Sequence, residues 1–418
     1  MLPLLCTELP GPLSRGWVDR LALRECPAIT ARRSRRAAAL GVADTDPVVW
    51  ASAHGSNVWD VDGNRFVDLC AGFGVASVGH RHPKVVAAGQ AQLGILPHAM
   101  GDAFPDPRRI ELMERLCALS GLDRVIFGSS GSDAVEAAVK TALLATGRRR
   151  ILSFSGGYHG LASAPLAAIG YKQADFEAPF RPMLGQHVDR APYGGEWPSL
   201  ADYAAVLVEP VQGRGGMRAP PPGWLTKLHD DARAHDCLVI HDEVYSGFGR
   251  TGWMFAADEY GLKPDLLCVG KAMAGGFPIS ACIGTAAVMD AWGASKGESI
   301  HTQTFLGNPV GCAMALAALG VVEEEQLPRR AREDGQFLYQ QLKTLPGVER
   351  VEGRGLMLGA VVGPGAALRA MRGMLEQGYL ILPCGERGEA LGFSPPLGIG
   401  QELLAGAVEA LRRCLAAG

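Results

Sequence analysis

The chain has 418 residues, 48% of them hydrophobic and 20% charged, with 55 glycines and a formal net charge of −3. This composition excludes a disordered or fibrous chain, and the near-neutral charge excludes a general attraction to nucleic acid. The length exceeds what one compact core serves, and no apolar stretch reaches the roughly 18 residues that a membrane span needs.

From the N-terminus, Arg15 to Arg36 is basic, with Arg32, Arg33, Arg35 and Arg36 clustered ahead of an alanine run. Transit peptides are also arginine-rich, but Glu8, Asp19, Glu25 and several prolines favour a solvated arm that packs on a second copy of the chain. Next, VWDVDGNRFVDL reads as a strand pair whose Asp62-Gly63-Asn64 turn is a hairpin signal. His80 and His82 in GHRHP read as a turn and not as a metal pair, because a proline follows their i, i+2 spacing. In IFGSSGSDAVEAAVKTALLATG a short apolar run enters a helix with Asp133 as N-cap and Glu136 three residues on. The turn Ser130, Gly131, Ser132 then lies at a helix N-terminus, where free amides, hydroxyls and the helix dipole suit a phosphate. By itself such a turn is explained by ordinary capping.

Further on, ILSFS reads as a strand that delivers Tyr158 and His159 in SGGYHG, an aromatic that can stack on a planar ring with a histidine beside it. AAVLVEP ends a buried run at Glu209, and CLVIHDEV ends another at Asp242. Lys271 follows the apolar run DLLCVG, 29 residues after Asp242. Such runs read as buried parallel strands, so opposite charges reach one edge of one sheet, the edge where open α/β sheets bind ligands. Burial lowers the pKa of a lysine, as a Schiff-base lysine requires, although an isolated Lys/Asp pair reads more readily as a buried salt bridge. HTQTFLGNP places Thr302 and Thr304 before a Gly-Asn-Pro turn, and GLMLGAVVG and GYLILP read as late strands. The ten cysteines include no CxxC pair, and most, such as Cys237, Cys268 and Cys282, fall in apolar runs. A reducing cytoplasm is their natural setting.

Taken together, these motifs resemble the class III aminotransferases, pyridoxal 5'-phosphate (PLP) enzymes of the aspartate-aminotransferase fold type I. The matching segments run in the family's order from WDVDGNRFVDLCAGFGVASVGHRHP through SGSDAVEAAVK, GGYHG, VEPVQG, HDEVYSGFGRTG, VGKAMAGGFP and TFLGNP to SPPLGIG. The resemblance implies an α/β fold with a large doubly wound, mostly parallel sheet domain and a small α+β domain from the two terminal segments. Residues 1–75 would form the N-terminal arm and part of the small domain, 76–315 the large PLP-binding domain, and 316–418 the C-terminal small domain. Lys271 would carry PLP as a Schiff base and shuttle the proton, and Asp242 would bind the ring nitrogen. Gly131 and Ser132, with Ser130, would hold the phosphate, and Thr304 would reach the phosphate of a neighbouring subunit. Tyr158 and Val244 would sandwich the ring, with His159 and Glu209 close to it, and no metal is involved. The implied assembly is a homodimer or larger homo-oligomer with shared active sites, acting on a small amine or amino acid and a keto acid. A racemase, epimerase, aminomutase or lyase of the same superfamily is the alternative.

Three departures concern the substrate. Many members have an arginine directly after YHG, where this chain has Leu161, and an arginine before the PPL segment, where this chain has Gly392. Both carboxylate clamps of the ornithine and 4-aminobutyrate type are thus missing, and each charge-assisted hydrogen bond they supply contributes on the order of 1.5 to 3 kcal/mol. Without the second arginine, Glu209 is expected to stand unpaired and to receive a cationic or hydroxyl group of an amine substrate. Phe73 and Glu209 are assigned to the substrate side, with Arg387 in PCGERGEA as a mobile carboxylate binder and Arg214 as a second candidate. Third, Tyr245 replaces a common glutamine, either to keep a hydrogen bond or to fill space.

Overall fold

The computed structural model describes residues 1–29, 38, 48–185, 187–294 and 296–416. The cluster Arg32, Arg33, Arg35 and Arg36 lies outside the described residues. Helix α1 (Pro12–Ala22) precedes an antiparallel meander of β1 (Trp50–His54), β2 (Asn57–Asp60) and β3 (Arg65–Asp68). The β2–β3 turn forms where Asp62-Gly63-Asn64 predicts it. Gly63 takes φ 85°, and the Asp60 carboxylate accepts from the amide of Asn64 at 2.8 Å.

The large sheet contains β4 (Arg124–Gly128), β5 (Arg150–Phe154), β6 (Val188–Ala191), β7 (Tyr203–Val208), β8 (Leu238–Asp242), β9 (Leu266–Val269) and β10 (Ser280–Gly284), in the order β4-β10-β9-β8-β7-β5-β6. β10 runs antiparallel to both neighbours, and the other six strands point the same way. β7 and β9 are buried along their whole length, because a sheet covered on both faces requires uninterrupted apolar runs. The carboxyl ends of β4, β5, β7, β8 and β9 therefore share one edge. The longer helices of this region are α2 (Pro83–Ile95), α3 (Pro107–Ser120), α4 (Gly131–Thr146), α5 (Trp224–Ala234) and α6 (Pro309–Glu324).

The N-cap of α4 corrects the sequence expectation: it is Ser130, not Asp133. Ser130 has extended backbone, its Oγ accepts from the Asp133 amide, and the Asp133 carboxylate accepts in return from the amides of Ser129 and Ser130. This reciprocal box satisfies more amides than a cap at Asp133 would. Glu136 instead accepts from the amide of Ala164 at 2.9 Å.

Beyond α6 come α7 (Leu327–Lys343), β11 (Arg350–Arg354), β12 (Met357–Val361), α8 (Pro364–Glu376), β13 (Tyr379–Leu380), β14 (Leu382–Cys384), β15 (Ala390–Phe393) and α9 (Gln401–Ala416). An antiparallel sheet β11-β12-β15-β14 packs through Leu358, Ala360, Leu391 and Phe393 against the apolar faces of α7, α8 and α9, including Leu338, Ala367, Ala370 and Leu404. β13 leaves this sheet and pairs in parallel with β3. Arg250 joins the distant segments: fully buried, it donates to the carbonyls of Leu356 and Pro395 at 3.1 and 2.5 Å and to Ser77 Oγ at 2.9 Å. Among the described residues no helix is long and apolar enough to cross a membrane.

Candidate active site

A cleft of about 350 Å³ opens at the carboxyl edge of the large sheet. Its floor is made by strand ends. Asp242, the last residue of β8, is buried with both carboxylate oxygens engaged: Oδ2 accepts from Nδ1 of the His159 ring at 2.8 Å and Oδ1 from the Val244 amide at 3.1 Å. Burial opposes a charge on His159, yet the hydrogen bond and charge of Asp242 raise its pKa above the ordinary value. The hydrogen bond between the two side chains, with the Val244 amide on the other oxygen, fixes the Asp242 carboxylate in orientation.

Lys271 emerges two residues after β9, and its Nζ lies 4.5 Å from the centroid of the Tyr245 ring. Burial pushes the ammonium pKa down. The charges of Asp242 and Glu209 oppose that shift, and Arg214 adds to it. The result is a lysine with neutral amine available nearer physiological pH than an exposed lysine offers. Tyr245 fills space, and its hydroxyl is taken up by the protein itself. Its hydroxyl bonds to Ser394 Oγ at 2.9 Å, and its ring packs so tightly against Gly74 and Gly213 that a Cβ at either position would overlap it.

Glu209 is not the unpaired carboxylate that the missing arginine suggested. Its Oε2 accepts from the Tyr158 amide at 2.9 Å and its Oε1 from the Gly213 amide at 3.1 Å. Two backbone donors take the place of a guanidinium, because the Tyr158 loop and the turn after β7 both present amides to that strand end. Burial pushes its pKa up to about 7, with His159 opposing and Asp242 adding.

Above the floor, Ser130, Gly131 and Ser132 line the cleft at the start of α4. The amides of Gly131 and Ser132 are first-turn donors that the helix itself cannot pair. A Cβ at Gly131 would come 2.7 Å from Val244 Cγ1, and one at Gly160, where φ is 109°, would overlap Ser132 Oγ. Glycine at these positions lets backbone close around a small anion. Free amides, an amine, a fixed carboxylate and the Tyr158 and Val244 side chains together fit a planar pyridine ring that carries a phosphate and an aldehyde.

The remaining candidates divide. Phe73 reaches the cleft from a left-handed stretch, with φ 66°, and is 56% exposed. Asp68 holds that stretch by accepting from the amides of Cys70 and Gly72, while His80 bonds to the same carboxylate. His82 turns instead to Glu325. Thr304 is exposed and outside the cleft. Arg387 is also exposed and outside it, with its amide bonded to Glu389, whereas Arg214 lines the cleft. Sequence reasoning missed the opposite wall, built from Cys70, Met217, Leu382, Pro383 and Cys384 around Gly392. A Cβ at Gly392 would already come 2.9 Å from Met217 Cε and 3.2 Å from Cys384 Sγ. The apolar run GYLILP carried a signal for a buried strand, but none for which face meets the cleft.

The family model for class III aminotransferases matches residues 41–415. Over 374 residues the chain is 39% identical to an acetylornithine aminotransferase of Methanothermobacter thermautotrophicus, covering 87% of this chain and 93% of that one. Ornithine aminotransferase 2 of Staphylococcus aureus is 34% identical over 381 residues, covering 88% and 93%. Among solved structures, an amine transaminase from an uncultivated Pseudomonas species superposes with a TM-score of 0.82 at 30% identity, covering 90% of this chain and 95% of that one. The ornithine aminotransferase of Toxoplasma gondii does so with a TM-score of 0.83 at 31% identity, covering 89% and 90%.

Proposed function

This chain belongs to the class III aminotransferases, PLP-dependent enzymes of fold type I, and on that premise we propose that it moves an amino group from an amine or non-standard amino acid to a keto acid. Each relative named above is a transaminase, and the isomerase and lyase readings find no counterpart among them.

PLP supplies a carbonyl that takes up the amino group and a ring that accepts electrons when protonated on nitrogen. Lys271 Nζ is the group that would hold that carbonyl and serve as the base that carries the proton, a task for which its depressed pKa suits it. Asp242, held by His159 and the Val244 amide, would hold the ring nitrogen with its proton. The amides of Gly131 and Ser132, with the Ser130 and Ser132 hydroxyls, receive the phosphate. Tyr158 and Val244 hold the ring in plane, and Glu209, tied to two amides, sets the turn that shapes the cleft. Phe73 stands at the mouth on the substrate side.

The observation that carries the donor class is the apolar wall: Gly392, Met217, Cys384 and Leu382 leave no charge where a carboxylate clamp is expected. An amine, or an amino compound whose carboxylate lies elsewhere, fits it better than ornithine held at both ends. The active unit is a homo-oligomer. Supporting this, Ile95, Phe104, Ile300 and Phe305 are exposed at 74%, 70%, 73% and 62%, and Thr304, next to Phe305 in the chain, is itself exposed outside the cleft, where a second copy would bring it toward a cofactor phosphate. The domain boundaries expected near residues 75 and 315 and a cytoplasmic setting complete the proposal. The test is a visible-absorbance titration of the purified enzyme with amines and amino acids, without a keto acid. Conversion to the aminated cofactor with release of a carbonyl product is expected for amines. Conversion by ornithine or 4-aminobutyrate alone would overturn the donor class, and a change in substrate configuration without amination would overturn the transferase reading.

A further inference from the structure

Lys271 and Arg214 are the only lysine or arginine side chains among the described residues that line the cleft. Arg214 sits in the turn that follows Glu209, on a base with little freedom. Gln212 and Arg218 exchange backbone hydrogen bonds of 2.8 and 3.0 Å across that turn, and the Arg214 carbonyl accepts from the Gly385 amide at 2.9 Å. A Cβ at Gly213 would overlap the Tyr245 ring, and one at Gly215 would come 2.7 Å from the Gly156 carbonyl, so both flanks of the turn are packed against neighbouring chain. The guanidinium lies over the Tyr158 ring, with Cζ 4.1 Å from the centroid. A guanidinium held over an aromatic ring still carries five N–H donors that can meet a planar acceptor.

No carboxylate among the described residues forms an ion pair with Arg214, whereas Arg150 and Arg190 are paired with Asp189 and Glu177, and Arg250 is taken up by carbonyls. A cation held rigidly at a ligand cavity without an anionic partner is a site for an anion from solution. Leu161 and Gly392 supply no competing charge, and Arg387 is outside the cleft.

We propose that Arg214 is the specificity-determining residue that receives the carboxylate of the keto acid, in a planar two-point pair. This assignment rests on the aminotransferase reading and names the position from which that substrate is held. The acceptor is then a 2-keto acid, whose carboxylate is adjacent to the carbonyl that must face Lys271.

The test is calorimetric titration of the cofactor-loaded enzyme with propionate, a carboxylate that cannot react, and with its neutral isostere propionamide. Arg214→Gln is expected to weaken propionate at least about tenfold and to leave propionamide unchanged. Arg214→Lys is expected to fall between, since an ammonium keeps the charge and loses the fork. In the wild type, labelling of Arg214 by phenylglyoxal, mapped by peptide mass, should slow when propionate is present, a readout that does not depend on any variant folding. Equal weakening of propionate and propionamide, unchanged propionate binding in Arg214→Gln, loss of propionate in Arg387→Ala alone, or no propionate binding by the wild type would each overturn the assignment. If wild-type enzyme transfers an amino group to no keto acid at all, the reading beneath it fails instead.

Discussion

Asp242, in the floor of the cleft, has both carboxylate oxygens engaged, one by a histidine ring and one by an amide, whereas Gly392, in the wall, presents no side chain. The floor comes from the ends of parallel strands, and its carboxylates are buried and held, Asp242 by His159 and the Val244 amide and Glu209 by the amides of Tyr158 and Gly213. The wall comes from the small sheet and its approach, through Leu382, Pro383, Cys384 and Gly392, and is apolar. The floor constrains chemistry, because moving any member leaves a buried charge without its partner. The wall constrains only which substrate fits, and it can change while the floor stays. The family's motifs persist at the floor, and its two arginines are missing at Leu161 and Gly392, one of them in the wall.

Breaking the floor is expected to have the largest effect. Lys271→Ala should lower amino transfer by about 10⁴-fold or more, measured in single turnovers, because it removes the group proposed both to attach the cofactor and to carry the proton. Asp242→Asn should lower it by roughly 10²- to 10⁴-fold, with His159→Phe following in the same direction at about tenfold, which would show that the ring acts through Asp242. Sharpening the contrast at the wall, Gly392→Arg should cost about 1 to 3 kcal/mol in urea unfolding, since Met217 and Cys384 occupy the space its side chain needs. It should also shift donor preference toward carboxylate-bearing substrates without abolishing turnover.

A charge buried beside the floor gives a smaller effect that depends on pH. Glu243 is held by the amides of Ala256 and Ala257 and by Ser246, and burial pushes its pKa from 4.5 up to about 7. The folded state keeps this proton longer than the unfolded one. Its contribution to stability is thus complete below pH 4.5 and lost as pH rises through about 7. Relative to wild type, Glu243→Gln should gain a few kcal/mol in urea unfolding between those limits, and a flat difference would contradict the assignment. The smallest effect is at the cap: Ser130→Ala should lower stability by about 1 kcal/mol.

The same contrast explains what could be read from sequence. Strands ending at Glu209 and Asp242, and the run before Lys271, were legible because a sheet covered on both faces demands apolar runs, and a charge at the end of such a run marks the edge. Contacts made across the fold were not. His159 reaches Asp242 from 83 residues away, and the Gly213 amide that holds Glu209 looks like any turn amide in the sequence. The Asp133 cap misread arose because Ser130 and Asp133 both suit the role, and only the backbone angles decide between them. The wall was least legible, since residues 70, 217, 382–384 and 392 meet only after the small sheet packs on the large one.

Arg250 gives that late meeting a temporal meaning. Its carbonyl partners follow it by 106 and 145 residues, so they leave the ribosome well after the large sheet's own strands. Its full set of partners exists only once those segments are made, whereas the floor residues Glu209, Asp242 and Lys271 all precede them in the chain. Until the first of those segments is made, the chain holds the floor residues and Arg214, but not Leu382, Cys384 and Gly392 of the wall.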